Sequence, residues 1–182
     1  MIKQLMFEGC DRCGKSSVAQ SVSKQIQWPI IKIDTGSFVR EGVPIGSTNL
    51  ERIMRAFNQT VSQFKDSNFI LDRGFVSTQV YSKAYKRFYN TDYIDSIINN
   101  MKDTMLVVWL DSPLQHILDR ASVDELNIIE NQKFKLIQHY YREYFKRNKE
   151  LKVLKIYNDS SRTIEEMARI VIDEVAEVSE NV

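Results

Sequence analysis

Cysteine is scarce. The chain of 182 residues holds two, Cys10 and Cys13, both inside the segment FEGCDRCGKSS. No disulfide framework can be built from them, and a chain of this length can bury an adequate core without one. Histidine is equally rare, with only His116 and His139, so the C-x-x-C pair has no nearby partners to complete a tetrahedral zinc site. Neither sign of charge dominates: 25 Lys and Arg against 24 Asp and Glu leave a formal net charge of +1. A nucleic-acid partner therefore gains no support from charge, and any anionic ligand must be held by a local cluster. Long hydrophobic runs are missing too. The longest, Met105 to Leu110, is far too short to cross a bilayer, so no membrane span is expected. The strand-like opening MIKQLMF has no signal-peptide build, which makes the cytoplasm the expected compartment.

What is present is globular: 43% hydrophobic and 27% charged residues. Short apolar runs alternate with amphipathic stretches. Strands are expected at Ile2 to Phe7, Ile30 to Ile33, Asn68 to Leu71, Met105 to Leu110 and Val153 to Tyr157. Helices are expected from Lys15 to about Gln27, through Leu50 to Phe64, from about Val76 to Tyr89, Asp92 to Met101, Leu114 to Arg120, about Ile129 to Arg147, and up to about Val178. Half of the six glycines, with one of the three prolines, fall between Asp34 and Thr48, which reads as a loop. Asp111-Ser112-Pro113 is a helix-start signal. No repeat or linker interrupts the pattern. Strands separated by helices and apolar on both faces predict a single α/β domain over 1–182, a three-layer α/β/α sandwich around a five-stranded parallel sheet.

The opening segment satisfies two patterns. C-x-x-C fixes two positions, whereas G-x-x-x-x-G-K-S fixes Gly9, Gly14, Lys15 and Ser16 and sits where it must, between a strand and a helix. Its chemistry is phosphate binding. Glycines let the backbone fold around a phosphate, and the first helical turn supplies free N–H groups. Lys15 reaches the β- and γ-phosphates, and the Ser16 hydroxyl is a natural Mg²⁺ ligand. Cys10 and Cys13 then occupy variable positions. Arg12 inside the loop would sit beside the phosphoryl group in transit, where positive charge is most effective; the plainer reading pairs it with Asp11 or Glu8. Asp72-Arg73 follows a parallel strand, at the end of the sheet where ligands bind, although a surface ion pair there would look the same.

The segment resembles the E-G-x-D-R-x-G-K-S/T loop of the thymidylate kinase family of P-loop nucleotide kinases, and weaker matches follow in order over most of the chain. Val39-Arg40-Glu41-Gly42 is loosely similar to that family's T-R-E-P-G, and Asp72 to Ser77 to its D-R-Y-x-x-S. Leu110 to Pro113 and Leu118 to Arg120 match L-D-x-P and a later A-x-x-R, and Ile129 to Phe134 resembles the Y-E-N-x-x-F lid segment. The resemblance implies a P-loop NTPase fold of nucleotide kinase type, ATP and Mg²⁺ as cofactors, and roles by position. Gly9, Cys13, Gly14, Lys15, Ser16 and Ser17 would bind the donor phosphates, and Ser16 and Asp72 the Mg²⁺. Asp11 would contact the acceptor sugar, and Arg12 would bridge the two phosphates. Arg73 would hold the acceptor phosphate, and Arg40 belongs to the acceptor loop. Arg120 would pack on the donor adenine, and a lid at about 121–131 would close over the site. Phe57 falls where an aromatic stacks on the acceptor base, although its register with Ile53, Met54 and Val61 equally suits a core residue. Arg120 equally suits a cation at a helix C-terminus. Family members pair through helices, which implies a homodimer.

The family's Arg four residues after the stacking aromatic is missing here, because Val61 stands in its place, and Gly74 replaces the aromatic after Asp-Arg. Three functions follow. The first is a nucleotide kinase acting on a pyrimidine deoxynucleoside monophosphate. The second is a kinase of a hydroxyl acceptor, a deoxynucleoside 5′-OH or a modified base free or in DNA, with Asp34 as base. The third is a non-catalytic nucleotide-binding switch.

Overall fold

The structure is a computed structural model that describes residues 1–33, 41–42, 47–87, 90–120 and 128–180, side chains at 128–131 and 179–180 apart. Among these residues, β1 (Gln4–Gly9), β2 (Ile30–Ile31), β3 (Phe69–Asp72), β4 (Met105–Asp111) and β5 (Lys152–Tyr157) form one sheet in the order β2-β3-β1-β4-β5. Every pairing is parallel. The helices are α1 (Lys15–Ile26), α2 (Thr48–Ser62), α3 (Phe75–Ala84), α4 (Ile94–Met101), α5 (Leu114–Asp119), α6 (Ile128–Arg147) and α7 (Ile164–Glu180).

The two-residue side-chain period of a strand divides the core between the sheet's faces. Leu5 and Phe7 of β1, with Leu106, Val108 and Leu110 of β4, pack with Val18, Ala19 and Val22 of α1 and Met167 and Val171 of α7. Met6, with Met105, Val107 and Trp109, faces Phe75, Val76 and Val80 of α3, Ile94 and Ile97 of α4, and Phe134, Ile137 and Tyr141 of α6. Each fully buried aliphatic or Phe side chain contributes about 1.5–3 kcal/mol. Both faces are covered, which is why these strands read as unbroken apolar runs.

The expected elements are all found, with shifted ends. α1 stops one residue early because Gln27 takes a left-handed conformation, φ 57°, ahead of Trp28-Pro29. α3 ends at Ala84, short of the expected Tyr89, and Lys86 turns left-handed at φ 52°. β2 pairs with β3 only at Ile30 and Ile31, so Lys32 leaves the ladder level with Asp72. Side chains cap the starts of α2 and α7. Ser47 accepts the N–H of Leu50 at 3.2 Å ahead of α2. Thr163 and Glu166 exchange N–H bonds of 3.1 and 2.7 Å, a capping box that begins α7.

Candidate active site

β1 is the central strand, and the loop it feeds lies at the carboxyl end of the sheet. Gly9 has φ 140°, and a Cβ there would stand 2.2 Å from the Leu110 carbonyl oxygen, so no other residue fits. Gly14 has φ 95° directly before α1. Between them the chain wraps around the Lys15 ammonium, which donates to the Cys10 carbonyl at 2.5 Å and lies 3.7 Å from the Cys13 sulfur. Asn158, just past β5, donates to the Cys13 carbonyl at 2.9 Å and ties the loop to the far side of the sheet. Both cysteines are free and buried. Burial, with the Asp11 charge adding to it, pushes the Cys10 thiol up to about 12, which is the opposite of what a redox dithiol needs.

Ser16, in the first turn of α1, donates to Asp72 Oδ2 at 2.7 Å, and Lys32 Nζ approaches the same oxygen at 3.1 Å. Burial alone would raise the Asp72 pKa, but the bonds from Ser16 and Lys32 and the charge of Lys15 outweigh it and hold the carboxyl below its ordinary range. A serine hydroxyl and an ionised carboxylate 2.7 Å apart are hard oxygen donors of the kind Mg²⁺ takes alongside substrate phosphates and water.

Arg73 is held by side chains. Its guanidinium donates to the Gly9 carbonyl at 3.2 Å and to Ser77 Oγ at 3.1 Å, pairs with the Asp11 carboxylate, and lies 4.8 Å from the centre of the Tyr81 ring. Tyr81 donates to the other Asp11 oxygen at 2.8 Å. Burial would raise the Asp11 pKa, but Arg73 and Lys15 overcome that and keep it below the usual value. Beneath this pair lies Glu8, fully buried. It accepts the N–H groups of Gly74 and Ser77 at 2.9 and 3.1 Å, the Ser77 hydroxyl, and the Tyr141 hydroxyl at 3.1 Å. Burial raises the Glu8 pKa despite the Ser77 bonds and the Arg73 charge. Glu8 thereby pins the start of α3, and with it Arg73. Two arginines of the site, Arg12 and Arg73, have left-handed backbones at φ 65° and 75°. Such residues cost about 1–3 kcal/mol each and concentrate at functional sites.

The cleft over these residues has a volume of about 670 Å³. Among the described residues, six cationic side chains (Arg12, Lys15, Lys32, Arg73, Arg120 and Arg162) line it against two carboxylates, Asp11 and Asp72. This is the local cluster that an almost neutral chain needs to hold an anion. Arg12 lies 5.5 Å from the ring centre of Phe134 on α6. Arg120 donates to the Arg12 carbonyl at 2.9 Å and to the Ser160 hydroxyl at 3.2 Å, so it closes one end of the loop. Ser17 also lines the cleft. Phe57 is half-buried against the core on the α3, α4 and α6 side. Asp34, Arg40 and residues 121–127 of the expected lid lie outside the described residues. Glu8, Lys32, Tyr81, Tyr141 and Asn158 were not expected as site residues. The sequence signal for Glu8 was its match to the leading E of the E-G-x-D-R-x-G-K-S/T pattern, one residue beyond the expected strand.

No protein-family model matches the chain. It is 29% identical over 141 residues to the SPbeta prophage-derived protein YorR of Bacillus subtilis (strain 168), covering 76% of this chain and 79% of that one. The crystal structure of YorR from Bacillus subtilis, in complex with phosphorylated GDP, superimposes with a TM-score of 0.71 at 25% identity over 98% of each chain. Thymidylate kinase from Candida albicans is similar at a TM-score of 0.68 and 19% identity, over 99% of this chain and 93% of that one. Deoxyadenosine kinase from M. mycoides, with dCMP and dCDP bound, also gives 0.68 at 19% identity, over 96% and 99%. The chain has the three-layer α/β/α fold of the P-loop nucleotide kinases.

Proposed function

We propose that the protein is a phosphotransferase that moves the terminal phosphoryl group of MgATP to a pyrimidine deoxynucleoside monophosphate, giving the diphosphate and ADP. The observation that carries this reading is the cleft's charge, six cations against two carboxylates among the described residues around a phosphate-type loop. A hydroxyl acceptor must lose a proton to a base. Among the described residues the cleft holds two carboxylates, both below their ordinary range, Asp11 chiefly by Arg73 against its burial and Asp72 chiefly by Ser16 against its own, so both are weak bases; Asp34, the candidate base for a hydroxyl, lies outside the described residues. A monophosphate acceptor arrives already ionised and needs none.

In this reading the Gly9 to Ser17 backbone and Lys15 bind the donor phosphates, and Ser16 and Asp72 hold the Mg²⁺. That ion screens phosphate charge and keeps the donor in line. Arg12 and Arg73 stabilise the charge that spreads over the phosphoryl group during transfer. Asp11 and Phe57 contact the acceptor, with Asp34 and Arg40 on the acceptor loop, and Arg120 lies against the donor base. A lid at 121–131 excludes water, which would otherwise turn transfer into hydrolysis. A single domain and a homodimer complete the proposal.

The test is ADP release from MgATP with a panel of deoxynucleoside monophosphates, deoxynucleosides and DNA containing modified pyrimidines. Stimulation strongest with dTMP or dUMP is the expected result. Stimulation by nucleosides or DNA alone would move the acceptor to a hydroxyl, and no stimulation by any acceptor would make the protein a nucleotide-binding switch.

A further inference from the structure

Lys32 has no place in the roles given above, yet it lies at the centre of the site. It follows the edge strand β2, whose register with β3 sets it level with Asp72. Its ammonium is 3.1 Å from Asp72 Oδ2, the oxygen that also accepts the Ser16 hydroxyl at 2.7 Å. A cation shared between that hydroxyl and that carboxylate would occupy the same space. The two partners differ in freedom: the Lys32 side chain is 54% exposed and the Asp72 side chain 5%. Asp72 is fixed in the sheet, whereas Lys32 is a long, flexible arm reaching in from the sheet edge. With its ammonium half exposed the pair is screened by solvent, and a dication held by Ser16 and Asp72 would displace it. The ammonium then remains in a cleft lined by phosphate-binding groups, within reach of the phosphoryl oxygens. A lysine there acts as a compact point charge with three donors, suited to a group whose charge moves.

We propose that Lys32 is a displaceable cation. It neutralises Asp72 when no metal is bound, gives way to the dication, and then binds an oxygen of the phosphoryl group in transit. This supplies positive charge in a chain that lacks the arginine expected near Val61. The second half of the proposal rests on the phosphotransferase reading; the first half does not.

Two measurements on Lys32→Met separate the halves. Mn²⁺ titration of the nucleotide-free protein, followed by electron paramagnetic resonance, reads the first. Removing the competing ammonium should tighten Mn²⁺ binding about two- to fivefold, the range set by a solvent-screened pair. Unchanged or weaker Mn²⁺ binding overturns the displacement, whether or not an acceptor has been found. Steady-state kinetics with the best acceptor read the second. Here kcat should fall by at least about tenfold, with KM for MgATP changed less than about twofold, and Lys32→Arg should recover part of the loss. A kcat equal to that of the unaltered protein, or a loss confined to KM, overturns the role in transfer. Failure of the unaltered protein to phosphorylate any acceptor instead overturns the phosphotransferase reading, and with it this second half, while the Mn²⁺ result still decides the first.

Discussion

The two sides of the cleft are built from different material. The proposed phosphate cradle is made of backbone: two glycines with positive φ, the amides that follow them, and one lysine folded into its own loop. The Arg73 side is made of side chains drawn from distant parts of the chain, with Glu8, Asp11, Ser77, Tyr81 and Tyr141 linked in one network. A backbone cradle recognises what all nucleoside triphosphates share. A side-chain network can be altered one residue at a time, so specificity belongs on that side.

The largest expected effect comes from removing charge without disturbing the cradle. Arg12→Ala should lower kcat by about 10³, the scale of an arginine that stabilises phosphoryl transfer, with ATP affinity nearly unchanged; an equal loss of ATP binding, read by calorimetry, would assign Arg12 to the cradle. Next is Glu8→Gln. The amide oxygen can keep the bonds from the Gly74 and Ser77 N–H groups, but the NH2 then faces the Ser77 and Tyr141 hydroxyls that donate to Glu8, so the network loses an acceptor at a cost of about 1–3 kcal/mol in urea unfolding. Because Glu8 acts through Arg73, acceptor KM should rise more than ATP KM. Gly14→Ala should work the other way. Its φ of 95° and a Cβ 2.9 Å from Asn158 Nδ2 cost about 1–2 kcal/mol, with the kinetic loss falling on ATP.

The smallest effect is a change in pH dependence. The Asp72 pKa is lower in the folded protein than its ordinary 3.8, because the bonds from Ser16 and Lys32 outweigh the burial that would raise it. The stability it contributes is therefore present above 3.8 and lost as pH falls through the folded value. Asp72→Asn should flatten the acid limb of the stability profile below about pH 4. Glu8 works in the opposite direction. Burial raises its folded pKa above 4.5, so its contribution is present below 4.5 and declines as pH rises through the folded value.

The same division explains what the sequence revealed. Gly9, Gly14, Lys15 and Ser16 form one contiguous motif because a backbone cradle must be contiguous. Asp72 and Arg73 were legible because they directly follow an expected parallel strand, at the end of the sheet where ligands bind. Tyr81 and Tyr141 read as ordinary helix residues, since the network joining them to Glu8 spans up to 133 positions and leaves no local pattern. Lys32 was hidden for the same reason. Its partner is forty residues away on a strand whose register only the folded sheet fixes. The helix ends shifted where left-handed residues such as Gln27 and Lys86 set the stop, a choice that apolar periodicity does not record.

The position of β1 has a consequence for synthesis. Among the described strands it comes first in sequence, it is buried along all six residues, and its two neighbours begin at Phe69 and Met105. On the ribosome this strand therefore has no partner until β3 has emerged and lacks its second until β4 follows, and the proposed phosphate-binding loop has no fixed shape until then. Ordering of the nascent chain is governed by long-range closure, which is slow and leaves apolar surface open to capture. Holdase chaperones should engage the first hundred or so residues, and nucleotide should begin to protect the nascent chain from protease only after β4 has left the exit tunnel.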